Sequence, residues 1–181
     1  MAYQFTEGLV GLTPIASIDA GYTPPNGSAA IPTGPAVPGT IVRAIDDIYG
    51  MGEFILLRGC ANTVVGSVVR YNDVDFDTTL AVNTALQNVP VAVAMSANTS
   101  TSEWGWYQIS GTAVIAKVTG ATSQPVPNAS LYLSPTAGKV KSVASAGMQI
   151  NGCKTQTLST LSTATTVLAT IQRPCLQGAI T

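Results

Sequence analysis

Histidine is absent from the whole chain of 181 residues. This absence removes the usual general base, the Ser-His and Cys-His nucleophile pairs and most zinc sites. The nucleophile-elbow pattern G-x-S-x-G is missing as well. A Ser–Lys dyad stays open on sequence grounds, but no motif marks one. Because a catalytic site needs several converging acid and base groups, we expect no enzyme, no metal and no cofactor.

Charge is also scarce. Charged residues make up 9% of the chain, whereas a typical soluble domain has about 25%. Eight basic and nine acidic residues, with no Lys/Arg cluster, offer no electrostatic surface for nucleic acid. A surface with a net charge of -1 poorly resists association. The composition therefore predicts a homo-oligomer or a component of a larger assembly.

Two further absences concern location and redox state. No segment approaches the roughly 18 consecutive apolar residues of a membrane helix, and the start "MAYQFTEGLV" has no positively charged region, so we expect no membrane partner and no signal peptide. The cysteines are few, odd in number and far apart, at Cys60, Cys153 and Cys175, with no C-x-x-C pair. We expect reduced thiols in a protein made in the cytoplasm.

Residues 1–39 differ in composition from the rest of the chain. They contain six prolines and many glycines, and their only charges are Glu7 and Asp19. Proline fixes φ and removes a hydrogen-bond donor, so this stretch predicts neither a helix nor a central strand. A flexible terminus is one interpretation. We favour an extended arm, mobile in the free protein, that becomes ordered across a neighbouring surface. Its expected apolar anchors are Tyr3, Phe5, Leu9, Leu12 and Ile15.

Residues 40–181 read as one short strand after another. The segments are rich in Val, Ile, Thr and aromatic residues and are separated by Gly, Asn, Pro and Ser. They include "TIVRAI", "EFILLR", "PVAVAMS", "EWGWYQISG" and "TAVIAKV". Recurrence at roughly 8–12 residues predicts an all-β barrel or sandwich.

The pair Gly50-x-Gly52 precedes one of these strands. A dinucleotide-binding motif needs a third glycine at the position of Ile55 and a helix afterwards, and "EFILLR" is a strand pattern instead. We therefore expect the two glycines to form a tight turn. The apolar residues of "EFILLR" on both faces predict a strand buried on both sides.

Alternation assigns faces in the segment 104–118. We expect Val114, Ala116 and Val118 on the core face, opposite Ala113, Ile115 and Lys117. Trp104 and Trp106 share a face with Gln108, whereas Tyr107 and Ile109 point the other way. The two tryptophans are predicted to fill a core or a subunit interface. Stacking on a base or a sugar ring is the alternative, but no basic residues flank them.

The segment "NDVDFD" carries Asp73, Asp75 and Asp77 at alternate positions, as in the first part of a calcium loop. The glycine and the glutamate that such a loop needs are replaced by Thr78 and Thr84. We predict a solvated acidic loop, with a weak cation site as the alternative.

Three stretches together resemble the capsid decoration (cement) proteins of tailed bacteriophages. They are "VVGSVVRYN", "VPVAVAMSANTSTSEWGWYQISGTAVIAKV" and "VLATIQRPCLQGAI". In such proteins an alternating "GVA"-type strand leads to an aromatic "YGWVQ"-type strand and then to "SGxAxAxV", here residues 91–95, 104–109 and 110–118. The resemblance covers roughly residues 55–120 and the last fifteen, and it lies in small β motifs.

The resemblance implies a compact β-barrel or β-tulip-like domain that binds the outside of the virion as a trimer. The implied partner is the major capsid protein, whose capsomers the trimer would clamp together, and no catalytic residue is carried over. Two alternatives stay open. One is a tail or fibre module that recognises a host glycan through Trp104 and Trp106, and the other is a virion hydrolase.

Overall fold

The computed structural model describes residues 3–6, 15, 38–101, 103–120, 125–156 and 163–179. These residues contain eleven strands and no helix. The strands are β1 (Gln4–Phe5), β2 (Ile41–Asp46), β3 (Gly50–Arg58), β4 (Val68–Tyr71), β5 (Thr78–Leu80), β6 (Val91–Ala94), β7 (Trp104–Ala116), β8 (Ser130–Leu133), β9 (Val140–Lys141), β10 (Gln149–Thr155) and β11 (Thr166–Leu176).

The strands form one sheet, in the order β1-β2-β3-β7-β11-β10-β8-β9, and every ladder between them is antiparallel. Strand β6 pairs with β7 and β4, and β4 pairs with β5. The sheet curls into a half-barrel. The prediction of an all-β fold is thus confirmed.

Strand β7 combines two segments that the sequence suggested as separate strands. It bends at a bulge where its register against β3 shifts and where Gly111 has a φ of 103°. The carboxamide of Gln108 holds the bend, because its Nε2 donates to the carbonyls of Ser110 (3.1 Å) and Thr112 (3.0 Å). A Cβ on Gly111 would lie 2.6 Å from the carbonyl oxygen of Met51, so only glycine fits there.

Buried side chains cover both faces of β3 and β7, as predicted for "EFILLR". On one face Ile55 and Leu57 pack with Tyr107 and Ile109. A separate core around Ile115 joins β7 to β8, β10 and β11. The opposite face carries what we call the aromatic cluster, whose buried members are Tyr3, Ile15, Val42, Ala44, Phe54, Leu56, Met95, Trp104 and Trp106.

The face assignment predicted for the end of β7 is wrong. Ala113 and Ile115 are buried in the core, whereas Val114 and Val118 of the predicted core face are only half-buried. Ala116, the third residue of that face, is buried as predicted. Lys117, whose charge suggested a solvent face, is buried on the core side, and its Nζ donates to the carbonyl of Val118 at 3.2 Å. A long lysine side chain at a strand end can thus be buried when its ammonium group reaches a backbone acceptor.

Two residues of the predicted N-terminal arm belong to the core of their own chain. Strand β1 pairs with β2 at the edge of the sheet, in the register Phe5↔Ala44. Tyr3 and Ile15 are buried in the aromatic cluster, with 6% and 2% of their surface exposed. These two predicted anchors therefore bind the sheet of their own chain. The predicted anchors Leu9 and Leu12 lie outside the described residues.

Strand β10 is absent from the sequence prediction, because its pattern "QINGCKT" does not alternate cleanly. A register shift between Asn151 and Cys153 explains this, since Gly152 adopts a φ of 70° at the bulge. The three cysteines are free, and Cys60 and Cys153 are buried.

Candidate functional site

The hairpin of β2 and β3 presents a row of exposed apolar side chains. Its turn is stabilised by the Asp46 carboxylate, whose Oδ1 accepts the backbone N–H groups of Ile48 (2.8 Å) and Tyr49 (3.0 Å). Gly50 begins β3 with a φ of 73°, as predicted for a turn residue. Gly52 lies inside β3, where a Cβ would meet the Phe54 ring at 3.0 Å, so its assignment to the turn is wrong.

We call the exposed apolar residues of this hairpin the hairpin face: Ile41, Ile45, Ile48 and Met51. Their exposed fractions are 45%, 47%, 81% and 57%. Ile45 lies directly opposite Met51 in the ladder, and Ile41 is on the same side of β2. Contiguous exposed apolar side chains of this kind are typical of a protein–protein contact.

A group of three charges borders the hairpin face. Glu53 accepts from Arg43 of the neighbouring strand (3.3 Å) and from Arg173 of β11 (3.2 Å). The carboxylate is largely shielded, whereas both arginine side chains are more than half exposed. One acid is thus shared by two bases, and two further acids, Asp46 and the exposed Asp47, lie at the turn of the same hairpin.

Residues 72–77 form a solvated turn, as predicted, and we call this segment the acidic turn. Asp73 and Asp75 are exposed, whereas Asp77 pairs with Arg58 at 3.1 Å. Arg70, which precedes the acidic turn in β4, donates to side chains of residues 79 and 87 and not to these aspartates. Among the described residues, no group of three or more His, Cys, Asp or Glu side chains is placed to hold a metal ion.

Hydrogen bonds within the acidic turn define its shape. Asn72 Oδ1 accepts the N–H of Val74 (2.9 Å), and the Asn72 carbonyl accepts the N–H of Phe76 (2.9 Å). Asp75 Oδ1 accepts the N–H of Asp77 (3.0 Å). The turn projects Val74 outward, with 82% of its surface exposed.

The two tryptophans are core residues. Trp104 and Trp106 are 4% and 3% exposed and pack in the aromatic cluster, which confirms the interpretation that they fill a core. The guanidinium of Arg58 lies 5.8 Å from the centroid of the Trp104 ring. Neither ring face is open to a sugar, so stacking on a glycan through these residues is incompatible with this arrangement.

A cluster of buried polar side chains near the loop after β3 was not predicted from the sequence. Asn98 Nδ2 donates to the Tyr107 hydroxyl at 2.7 Å, and burial raises the pKa of Tyr107 above its usual range. Thr63 Oγ1 donates to the carbonyl of Cys60 (2.8 Å), so the Cys60 thiol donates in the 3.1 Å contact with that hydroxyl. Asn98 Oδ1 and Ser96 Oγ have no partner among the described residues.

No spacing in the sequence connects these polar residues, since three separate segments supply them. The group fixes the loop between β3 and β4 against β7, because residues 63 and 98 also form a backbone bridge. These polar residues therefore have a structural role.

Comparison with known proteins assigns no family. No protein-family model matches the sequence, and no curated protein matches it. Within the described ranges, no helix is long and apolar enough to cross a membrane. The function has to be inferred from the surfaces of the chain and from its sequence pattern.

Proposed function

We propose that this chain is a non-enzymatic structural protein of a bacteriophage virion. It binds the outside of the capsid as a homo-oligomer, a trimer, and stabilises contacts between capsomers. The small β motifs that resemble capsid decoration proteins motivate this proposal. The observation that carries it in the structure is the hairpin face, four apolar side chains exposed on the β2–β3 hairpin.

The hairpin face supports binding to protein because its burial is favourable. Completing the burial of each half-exposed Ile or Met side chain stabilises a contact by roughly 1 kcal/mol. The low charge of the chain helps as well, because few ions lose their hydration when its surfaces become buried. In a trimer, three sets of such contacts act together, so modest individual contacts give tight binding to a repeated surface.

The N-terminal segment supplies the proposed contact with the major capsid protein. Tyr3 and Ile15 attach this segment to the sheet at two points. Leu9 and Leu12, between these points in the sequence, remain the proposed capsid anchors. In this arrangement the segment starts from a fixed base on its own domain, and less conformational entropy is lost when it binds.

Co-sedimentation with capsids assembled without this chain tests the proposal. The wild-type protein should saturate these capsids, and a trimer should be visible in a cryo-EM map of the decorated particle. The double variant Leu9→Ser/Leu12→Ser should bind more weakly, by about 30-fold or more if each arm contributes roughly 2 kcal/mol. The matched control is Val126→Ser/Val143→Ser, which changes two exposed apolar residues elsewhere.

Two results would argue against the proposal. Failure of the folded wild-type protein to sediment with capsids would refute capsid binding. Equal binding by the Leu9/Leu12 variant and the control would remove the N-terminal segment as the anchor. Binding of the protein to a glycan array, with no binding to capsids, would favour the tail or receptor-binding alternative, which would need residues other than the buried tryptophans.

A further inference from the structure

We propose that the connection between β6 and β7 contains a binding site for one buried water molecule, which bridges Ser96 and Asn98 beside Gly105. The ligand is a single small, neutral molecule that donates and accepts hydrogen bonds. This inference concerns how the β domain is held together, and it does not depend on the proposed function. It rests on two buried polar side chains and on the glycine that they face.

Two polar side-chain atoms of this connection are buried without a hydrogen bond. Ser96 is 4% exposed and Asn98 is 1% exposed. Ser96 Oγ and Asn98 Oδ1 have no partner in the part of the chain that the structure describes. An unpaired buried polar atom destabilises a fold, and such atoms in native proteins are nearly always bonded to protein or to ordered water.

The two atoms face the same point beside β7. A Cβ on Gly105 would lie 2.9 Å from Ser96 Oγ and 3.4 Å from Asn98 Oδ1. Both atoms thus lie around one point without bonding each other, which is the arrangement that a bridging molecule requires. A side chain at position 105 would come too close to the Ser96 hydroxyl, so glycine is needed here.

The chemistry of the two atoms selects water as the ligand. An amide oxygen only accepts, so the bound molecule has to donate to Asn98 Oδ1, whereas the Ser96 hydroxyl can donate or accept. The amide nitrogen of Asn98 lies 3.2 Å from the same point beside Gly105, and its positive hydrogens disfavour a cation. Among the described residues, no group of acidic, Cys or His side chains could hold a metal ion there. Water meets both requirements.

The water links parts of the chain that are distant in the sequence. Asn98 Nδ2 donates to the Tyr107 hydroxyl at 2.7 Å, and the backbone N–H of Asn98 donates to the carbonyl of Thr63 at 3.1 Å. A Cβ on Gly59 would lie 2.8 Å from the Asn98 side chain. The loop after β3 therefore packs around Asn98, and the water fixes the remaining polar atom of this residue.

The substitution Ser96→Ala should have opposite effects with and without the water. If the water is bound, the variant loses a hydrogen bond nearly as favourable as a direct one. The equilibrium constant for folding, measured by urea denaturation, should then fall about threefold or more. Without a bound water, the variant removes an unpaired buried hydroxyl, and the same constant should rise.

Ser134→Ala is the matched control for this measurement. Ser134 is 0% exposed, and its Oγ donates directly to the carbonyl of Thr136 at 2.8 Å. Its replacement removes a known hydrogen bond from a buried serine, so the equilibrium constant for folding should fall. Ser96→Ala should change this constant in the same direction as the control.

A high-resolution crystal structure of the full chain is the second measurement. Ordered density for a water within hydrogen-bonding distance of both Ser96 Oγ and Asn98 Oδ1 is expected. Two results would overturn the inference. One is a well-ordered crystal structure without density at this position. The other is a Ser96→Ala variant as stable as the wild-type protein or more stable, while Ser134→Ala is destabilised. If Ser96→Ala does not fold, the crystal structure of the wild-type protein decides.

Discussion

Replacing Tyr3 by alanine should destabilise the β domain, although the residue is the third of the chain. Tyr3 is 6% exposed, and its ring meets that of Phe54 edge-on with 4.7 Å between the centroids. Its hydroxyl donates to the carbonyl of Thr112 at 3.1 Å, at the bend of β7. The Tyr3 side chain therefore covers the outer side of the aromatic cluster. It also forms a hydrogen bond with β7.

The magnitude follows from what the substitution removes. Truncation of a buried aromatic side chain to alanine costs about 3–5 kcal/mol. We expect the lower end, about 3 kcal/mol, because β1 is a short edge strand that can adjust. Tyr3→Phe should cost only about 0.5–1 kcal/mol, since the Thr112 carbonyl keeps its 3.0 Å bond from Gln108 Nε2.

Urea denaturation followed by tryptophan fluorescence is the assay, because Trp104 and Trp106 both lie in the affected cluster. Tyr3→Ala should lower the urea concentration at the midpoint of unfolding, and in thermal unfolding followed by the same signal it should lower the melting temperature by about 6–12 °C, as expected for roughly 3 kcal/mol in a domain of this size. The control is Gln4→Ala, the next residue along the chain, which is exposed. If Tyr3→Ala and Gln4→Ala unfold at the same urea concentration, the N-terminal segment is not part of the core.

Three further changes have defined expectations. Ile115→Asp should unfold the domain, because it buries an unpaired charge. Val114→Asp should lower the melting temperature much less, because Val114 is only half-buried. Equal effects of the two substitutions would contradict the face assignment of β7. Gly111→Ala should lower the free energy of unfolding by several kcal/mol in chemical denaturation. The new Cβ would lie 2.6 Å from the Met51 carbonyl oxygen, at a residue whose φ is 103°. An unchanged free energy of unfolding would argue against this bend of β7. Burial raises the pKa of Tyr3 to about 12, so the folded state keeps a proton that the unfolded chain loses above pH about 10. The free energy of unfolding should therefore fall as the pH rises from about 10 to 12, and it should fall less steeply in Tyr3→Phe.

Much of the fold follows from local pattern. Alternating β-branched and aromatic residues predicted most of the strands, and the doubly apolar pattern of "EFILLR" predicted a strand buried on both faces. The opposite orientations of Trp106 and Tyr107 also follow from alternation alone. The acidic turn was predictable because three alternate aspartates without the other ligands favour solvent.

Other features depend on contacts between residues far apart in the sequence. The sequence assigned Lys117 to solvent by its charge, and it could not show that a backbone carbonyl receives the ammonium group. The bulge at Gly152 concealed β10, because a bulge interrupts the alternation that identifies a strand.

The class of this protein, an all-β chain with little charge, no histidine and a Pro-rich start, can be read from its residues without the structure. These properties reside in composition and in side-chain alternation, which are local. Only the folded chain shows that Tyr3 and Ile15 belong to the core and that the hairpin face and the acidic turn are exposed. Those facts depend on which side of each strand the rest of the chain covers, and burial is a property of the whole fold.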